Sequence, residues 1–227
     1  MTIYLDCNAT TPVDPEVMEV VRYYMEVEYG NAGSRTHEFG LRAKQAVERA
    51  REQVAAVAGA RPEEVIFTSG ATEANNLAIL GLEKEGRRTG RMHLVSTQIE
   101  HKAVLEPLAE MEKRGFQVTL VPPNRDGRVS PEAVAAAVRP DTLLVSVMHV
   151  NNETGMIQPI DEISRLLPAQ PYFHVDAAQS FAKLPGIELP RIDLISCSGH
   201  KFYAPKGVGA LVARRRGWSS IPLAPLM

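Results

Sequence analysis

Lys201 is the residue of this sequence whose type and position most clearly allow chemistry. It ends the stretch Ser196-Cys197-Ser198-Gly199-His200-Lys201, which lies between the apolar runs 193–195 and 209–212. This pattern predicts a loop between two strands that ends on a lysine. A lysine amine in such a loop can bind a cofactor aldehyde covalently, whereas a surface lysine is the alternative that the stretch by itself leaves open.

A second stretch could bind an anion. Ser69-Gly70-Ala71-Thr72-Glu73 follows the short apolar run 65–67 and opens a predicted helix. The free N–H groups at a helix start, the helix dipole and the Thr72 hydroxyl together suit a phosphate. The stretch matches neither a Walker A motif nor GxGxxG, so it does not indicate a nucleotide loop, and a plain helix cap is the alternative.

Polar residues also follow three further predicted strands. His101 and Asp176 each lie at such a strand end, and the polar stretch 149–155 follows the apolar run 143–150. Each residue taken singly fits a structural role, but five such groups at successive strand ends are not explained by helix capping alone. A phosphate site, a buried carboxylate, a polar side chain, a stacking ring and a lysine amine are the groups that pyridoxal phosphate requires. The sequence therefore predicts a site for this cofactor.

Helical and strand patterns alternate along most of the chain. One predicted helix begins near residue 15, and five others span 38–58, 71–82, 102–114, 131–138 and 160–167. Predicted strands span 3–5, 65–67, 93–96, 116–121, 143–150 and 172–176. Pro107 predicts a kink or a later start in the fourth of these helices. The alternation predicts an α/β fold with a mostly parallel sheet and helices on both faces. Such a sheet binds ligands at the carboxyl ends of its strands, where the polar groups described above lie.

Composition indicates an ordinary folded protein. The chain has 227 residues, of which 44% are apolar, and a formal net charge of -2, so its charge balance predicts no direct nucleic-acid or membrane partner. The basic run Arg214-Arg215-Arg216 is expected to be a solvated strand end. Two distant cysteines, Cys7 and Cys197, argue against a disulfide framework or a zinc knuckle, and no metal site is predicted. Because the start lacks a signal-peptide pattern and no apolar stretch could span a membrane, we expect a cytoplasmic location.

Six motifs of the chain together resemble those of the cysteine desulfurases. They are Tyr4-Leu5-Asp6 with Asn8-Ala9-Thr10-Thr11-Pro12, Thr68-Ser69-Gly70-Ala71-Thr72-Glu73, Glu100-His101-Lys102-Ala103-Val104, Met148-His149-Val150-Asn151-Asn152-Glu153, His174-Val175-Asp176-Ala177-Ala178-Gln179 and Ser198-Gly199-His200-Lys201. They occur in order and with compatible spacing from residue 3 to about 213. The resemblance is to class-V-aminotransferase-like enzymes of fold type I, which depend on pyridoxal phosphate.

The resemblance implies a role for each matching residue. Lys201 would carry the cofactor and move protons, Asp176 would pair with the pyridine nitrogen, and His101 would stack on the ring and take part in proton transfer. Gln179 would bond to the phenolic oxygen of the ring, and Asn151 would sit near that oxygen and the substrate carboxylate. The phosphate ligands would be Ala71, Thr72, Ser198 and His200. The family removes sulfur from L-cysteine and leaves alanine and an enzyme-bound persulfide.

The resemblance also implies where this chain departs from the family. The catalytic cysteine belongs to a later C-terminal region of the family, and neither Cys7 nor Cys197 matches it. We therefore expect a cofactor-binding large domain over residues 1–215, which includes an N-terminal helical segment. Residues 216–227 would begin a truncated C-terminal domain, with the small C-terminal domain absent. A catalytically inactive cofactor-binding domain, or another fold-type I lyase or transaminase, is the alternative to a desulfurase.

Partners and pathway follow from the same resemblance. It implies a homodimer and a sulfur-acceptor protein. Residues 30–35 and 152–155 are also similar to the desulfurase that supplies sulfur for DNA phosphorothioate modification. Suppliers of sulfur for iron–sulfur cluster biosynthesis share most of the pattern, so both pathways stay open at this point.

Overall fold

Strands and helices alternate in the computed structural model, which describes residues 3–226. The strands are β1 (Val65–Thr68), β2 (His93–Thr97), β3 (Gln117–Val121), β4 (Thr142–Met148), β5 (Tyr172–Asp176), β6 (Leu194–Ser198) and β7 (Gly209–Ala213). The helices are α1 (Pro15–Glu26), α2 (Glu38–Ala58), α3 (Ala71–Leu80), α4 (Glu83–Thr89), α5 (Lys102–Lys113), α6 (Pro131–Ala136) and α7 (Ile160–Leu166). Within this part of the chain, none of the helices has the length and apolar character that crossing a bilayer requires.

The seven strands form one sheet in the order β1-β7-β6-β5-β4-β2-β3. Strand β7 is antiparallel to both of its neighbours, whereas the other paired strands are parallel to each other. Every strand except β7 therefore runs in the same direction. This arrangement confirms the predicted mostly parallel sheet and places the carboxyl ends of β1, β2, β4, β5 and β6 at one edge.

Both faces of the sheet are covered, because alternate residues of the central strands belong to two separate apolar layers. Val95, Val145, Val175 and Ile195 pack with residues of α2, α6 and α7. Leu94, Leu144, Leu194 and Leu211 pack with residues of α3 and α5. Each fully buried side chain of this size contributes about 1.5–3 kcal/mol through the hydrophobic effect. The two layers hold the strand ends in a fixed relation, as a site that is shared among strands requires.

Capping residues fix several helix boundaries as the sequence predicts. Asp14 caps α1 by accepting a hydrogen bond from the backbone N–H of Glu16. Ser130 caps α6 in the same way, and α2 ends at Gly59, whose φ of 60° lies in the left-handed region that favours glycine. The prediction that Pro107 resets the start of its helix is wrong, because α5 begins at Lys102 and contains this proline.

Two other local predictions need correction, and one helix was not predicted. Residues 3–5 form no strand, because this short segment pairs with no other strand and is tied instead by hydrogen bonds from the Tyr4 hydroxyl to the carbonyls of Asp6 and Thr10. The predicted helix 71–82 ends at Leu80, and α4 follows as a separate helix. That helix has charged pairs, such as Arg87 with Glu83, rather than an apolar period, so its pattern is not recognisable in the sequence.

The stretch before Lys201 is also more regular than a loop. Residues 196–198 belong to β6, and Gly199–Lys201 form a single turn of 3-10 helix directly after it. The expectation of a solvated Arg214 is wrong as well, since this residue is 7% exposed. Its guanidinium group donates hydrogen bonds to the backbone carbonyls of Ala58 and Leu189 at that end of the sheet.

Candidate active site

The strand ends surround a cavity of about 470 Å³. Its lining contains all of the residues predicted for the site except Asn151, namely Ala71, Thr72, His101, Asp176, Gln179, Ser198, His200 and Lys201. Strand order explains this convergence, because the residues follow β1, β2, β5 and β6, whose carboxyl ends share one edge. The roles of the individual residues stay predictions, but the structure brings the side chains to one place.

Lys201 lies at the end of the 3-10 turn that follows β6. Its Nζ donates hydrogen bonds to the carbonyl oxygens of Asn8 at 2.5 Å and Ala9 at 2.9 Å. Burial lowers the pKa of this amine below that of an exposed lysine, and the positive charge of Lys183 lowers it further. A lysine with a lowered pKa can accept and donate protons, and it is a better nucleophile near neutral pH than an exposed one.

Asp176 is a buried carboxylate at the carboxyl end of β5, with 5% of its surface exposed. Its Oδ2 accepts a hydrogen bond of 2.7 Å from Asn75 Nδ2, and its Oδ1 accepts one of 2.9 Å from the backbone N–H of Ala178. Burial raises the pKa of Asp176, while these two hydrogen bonds oppose the rise. The carboxylate is therefore held in one orientation at the cavity and is available to a cationic group.

His101 caps the start of α5 and lines the cavity. Its Nδ1 accepts a hydrogen bond of 3.0 Å from the backbone N–H of Ala103. A neutral imidazole whose Nδ1 accepts must carry its proton on Nε2, so the ring has a defined tautomer. The ring of His101 therefore has a fixed hydrogen bond at Nδ1 and lines the same cavity as the buried Asp176.

Asn151 does not line the cavity, and its side chain shapes the turn after β4. Its Nδ2 donates to the carbonyl of Ile99 at 2.9 Å, and its Oδ1 accepts from the backbone N–H groups of Glu153 at 3.0 Å and Thr154 at 2.9 Å. The neighbouring Asn152 lines the cavity instead. A contact of Asn151 with a ring oxygen or a substrate carboxylate stays a prediction.

The start of α3 forms a cradle that suits a phosphate. Gly70 is the N-cap residue and offers no side-chain hydrogen bond to the first turn, so the N–H groups of Ala71 and Thr72 are not capped from there. The first residue of β7, Gly209, lets this loop approach β6 closely. A Cβ atom at Gly209 would lie 2.5 Å from the carbonyl oxygen of Cys197 and 2.6 Å from the Cα of Gly70. Only glycine at this position leaves the cradle in place.

The segment before α1 lies against the same cavity. His200 accepts hydrogen bonds at its carbonyl from the backbone N–H of Thr11 at 2.9 Å and from the hydroxyl of Thr11 at 3.1 Å. The ring of His200 contacts the Thr10 hydroxyl at 3.1 Å, and Gln179 Nε2 donates to the carbonyl of Asn8 at 2.9 Å. These contacts join residues that are far apart in sequence and close one side of the site.

Residues 3–225 match the family described as aminotransferase class-V. The chain belongs to this family. It is 53% identical to cysteine desulfurase IscS of Anaeromyxobacter dehalogenans strain 2CP-C over 216 residues, which are 94% of this chain and 53% of that relative. The chain thus spans about half the length of the curated relatives it matches.

Solved structures show the same relationship for the class-V fold. DndA from Streptomyces lividans is 57% identical and superposes with a TM-score of 0.89 over 99% of this chain and 64% of that one. A structure described as SspA in complex with cysteine is 41% identical, with a TM-score of 0.90 over 100% of this chain and 65% of that one. Together with the family match, these findings confirm the resemblance to cysteine desulfurases and the predicted fold class.

Class-V enzymes depend on pyridoxal phosphate, and the residues present fit this cofactor. The cavity combines the uncapped start of α3 with the anchored carboxylate of Asp176 and the amine of Lys201. Gln179 lines the cavity, and its Oε1 is buried without a hydrogen-bond partner among the described residues. An unpaired buried polar atom is costly, so its presence at this cavity supports a further polar group there.

Sequence reasoning missed the contacts that three residues make at this class-V site. Asn75 lies one helical turn after Ala71 and is completely buried, where it holds Asp176. Its polar side chain inside the apolar helix pattern 74–80 was the available signal. The backbone carbonyls of Asn8 and Ala9, which contact Lys201, could not be found in this way because any residue type provides a carbonyl.

Proposed function

We propose that this chain forms the pyridoxal-phosphate site of a cysteine desulfurase, an enzyme that removes sulfur from L-cysteine and leaves alanine. One observation carries the proposal: a single cavity combines an amine of lowered pKa, a buried carboxylate and an uncapped helix start. The 53% identity to a cysteine desulfurase supports this reaction over that of a lyase or transaminase of the same fold type.

The cofactor would be held by groups on four strand ends. The backbone N–H groups of Ala71 and Thr72 would bind the phosphate together with Ser198 and His200, because a helix start favours an anion. Lys201 would form the covalent link to the aldehyde. When bound, pyridoxal phosphate supplies a ring that accepts electrons from the substrate.

Asp176 and Gln179 would set the properties of the ring. A carboxylate anchored by Asn75 at 2.7 Å favours a proton on a neighbouring ring nitrogen, because the two charges attract each other in a poorly solvated site. Gln179 would bond to the phenolic oxygen, and Asn151 would contribute near that oxygen and the substrate carboxylate.

Lys201 and His101 are the residues suited to moving protons. The amine of Lys201 would accept and donate protons at a lower pH than an exposed lysine, because burial lowers its pKa. His101 would stack on the ring and share in proton transfer through Nε2, because its Nδ1 is occupied by the N–H of Ala103.

The sulfur-accepting thiol is not provided by Cys197. This residue is 2% exposed, and burial raises the pKa of its thiol to about 12, so it is not a thiolate at neutral pH. Cys7 is half-buried in the segment before α1. In line with the family pattern, we expect the nucleophile to belong to a later region of the family, so this chain by itself would bind the cofactor and release little sulfur.

Domain limits, partners and location form part of the same proposal. Residues 1–215 would be the cofactor-binding domain and residues 216–227 the start of a second domain.

Apolar side chains exposed on α1, such as Tyr23 and Met25, support a homodimer. A protein would accept the sulfur, in iron–sulfur cluster biosynthesis or in DNA phosphorothioate modification. Two free cysteines, Cys7 and Cys197, are consistent with the reducing cytoplasm.

The cofactor assignment is tested by trapping. The chain is incubated with pyridoxal phosphate, reduced with borohydride and digested, and we expect mass spectrometry to find the pyridoxyl group on the peptide that contains Lys201. Lys201→Ala should abolish the label, whereas Lys206→Ala, which removes another lysine of the same cavity, should keep it. A stable label at any other lysine in the Lys201→Ala variant would contradict the anchor assignment.

A further inference from the structure

Glu100 is a buried carboxyl group at the site that none of the roles above uses. It lies between β2 and α5, directly before His101, and 6% of its surface is exposed. Its Oε1 accepts hydrogen bonds from the Thr97 hydroxyl at 2.7 Å and from the backbone N–H of Met148 at 2.9 Å. Its Oε2 is buried and has no hydrogen-bond partner within the described part of the chain.

The two hydrogen bonds of Glu100 join two strand ends of the site. Thr97 is the last residue of β2, and Met148 is the last residue of β4, where it pairs with Asp176 of β5. A second hydrogen bond, from Asn151 Nδ2 to the carbonyl of Ile99, joins the same two segments at 2.9 Å. The loop that carries His101 is therefore fastened to the end of β4 through Glu100.

The surroundings of Oε2 make the ionised form of this carboxyl group costly. An ionised group would bury an uncompensated negative charge, and the carboxylate of Asp176 on β5 would repel it. Thr97 and Met148, the residues of β2 and β4 that Glu100 contacts, have no titratable side chain, whereas His101, which follows Glu100 directly, has one. Burial, together with the charge of Asp176, raises the pKa of Glu100 to about 8, although the hydrogen bonds from Met148 and Thr97 oppose the rise.

We propose that Glu100 is a positioning residue that, as a neutral carboxylic acid, fastens the His101 loop to the end of β4. Its neutrality leaves Asp176 as the negative charge beside the cavity, and its hydrogen bonds fix the place of the His101 ring. The part of this proposal that concerns the ring rests on the proposed function. The part that concerns the neutral acid does not, because it depends on the fold alone.

The charge state is tested on the 227-residue chain without added cofactor. Glu100→Gln keeps the accepting oxygen and carries no charge. A carboxyl group that stays neutral in the folded protein but ionises in the unfolded chain makes the wild type less stable as pH rises between the two pKa values. The melting temperature of Glu100→Gln minus that of the wild type should therefore increase from about pH 5 to about pH 8. Above about pH 8 this difference should stay constant. A difference in melting temperature that is independent of pH over this range would overturn the proposal that Glu100 is a neutral acid.

Glu106→Gln is the matched control, because it makes the same change at an exposed residue of α5. Its difference from the wild type should not show the rise that is expected for Glu100→Gln. An equal rise in the control would overturn the assignment to Glu100.

The positioning role is tested by pH titration of the visible absorbance of pyridoxal phosphate bound to the chain. We expect Glu100→Gln to keep the wild-type midpoint, and Glu100→Ala and Thr97→Val to shift it and to weaken cofactor affinity several-fold. Thr97→Val removes one hydrogen bond of Glu100 with little change of shape, because valine is nearly isosteric with threonine. It therefore tests the positioning role even if Glu100→Ala fails to fold. Unchanged midpoints in both variants would overturn the positioning role. A chain that binds no cofactor at all would contradict the proposed function, while the melting profile decides the neutral acid separately.

Discussion

The contact between Asn75 and Asp176 allows a quantitative test of the site. Asn75→Ala removes the side-chain donor from a carboxylate that is 5% exposed. A hydrogen bond to a charged group contributes about 1.5–3 kcal/mol, and one pKa unit corresponds to about 1.36 kcal/mol. The substitution should therefore raise the pKa of Asp176 further above its ordinary value, because its ionised form loses about 1.5–3 kcal/mol of stabilisation.

The pH dependence of the stability loss separates the lost hydrogen bond from the effect of the cavity that the shorter side chain leaves. The cavity lowers stability at every pH. The lost hydrogen bond has its full effect only where Asp176 is ionised in the wild type, because a protonated carboxyl group binds Asn75 more weakly. The loss of stability should grow as pH rises past the raised wild-type pKa of Asp176 and level off above the pKa in the variant.

Urea unfolding of the wild type and the variant from about pH 4.5 to pH 8 measures this profile. Asn76→Ala is the control, because this neighbouring asparagine is only half-buried and its side chain donates its hydrogen bond within α3, to the carbonyl of Thr72. We expect the additional loss for Asn75→Ala to reach about 1.5–3 kcal/mol at neutral pH and the control to show no pH dependence. A loss for Asn75→Ala that stays constant across the range would refute the reasoning.

Three further predictions concern the same cavity. Under the proposed function, Asp176→Ala should weaken catalysis more than it weakens cofactor capture, and equal activity of variant and wild type in a sulfide-release assay would refute its role. The 227-residue chain with L-cysteine, pyridoxal phosphate and a reductant should release little sulfide; robust release that Cys7→Ala abolishes would instead make Cys7 the acceptor. Gly209→Ala should lower unfolding stability by about 1–3 kcal/mol and weaken cofactor binding, because its Cβ would lie 2.5 Å from the carbonyl oxygen of Cys197. Wild-type stability in a denaturant titration would show that the loop tolerates the methyl group.

The sequence predicted those parts of the fold that depend on local patterns. The alternation of apolar runs and amphipathic stretches predicts strands and helices because burial on two faces dictates it, and caps such as Asp14 and Ser130 act through neighbouring backbone groups. Elements whose structure does not depend on a local apolar pattern or a cap were not predicted correctly. Helix α4 depends on charged pairs, and residues 3–5 have apolar side chains but no strand to pair with.

The site was predictable to the extent that its groups are side chains at strand ends. Lys201, Asp176 and His101 each follow a strand, so the parallel sheet brings them to one edge. The contacts that tune these groups join distant parts of the chain, and no local pattern contains them. Asn75 reaches Asp176 from α3, and the carbonyl of Asn8 reaches Lys201 from the segment before α1.

The single antiparallel strand explains why the site and the opposite end of the sheet differ so strongly. Because β7 runs against its neighbours, it begins at the edge with the cavity and ends at the other edge. Its first residue, Gly209, has no side chain, so the loop at Gly70 can approach β6 and leave the start of α3 open to an anion. Its continuation, Arg214, is buried at the far edge and binds the carbonyls of Ala58 and Leu189 there. One reversed strand thus places a close backbone approach where the cofactor phosphate would bind and leads into a buried cation at the opposite edge.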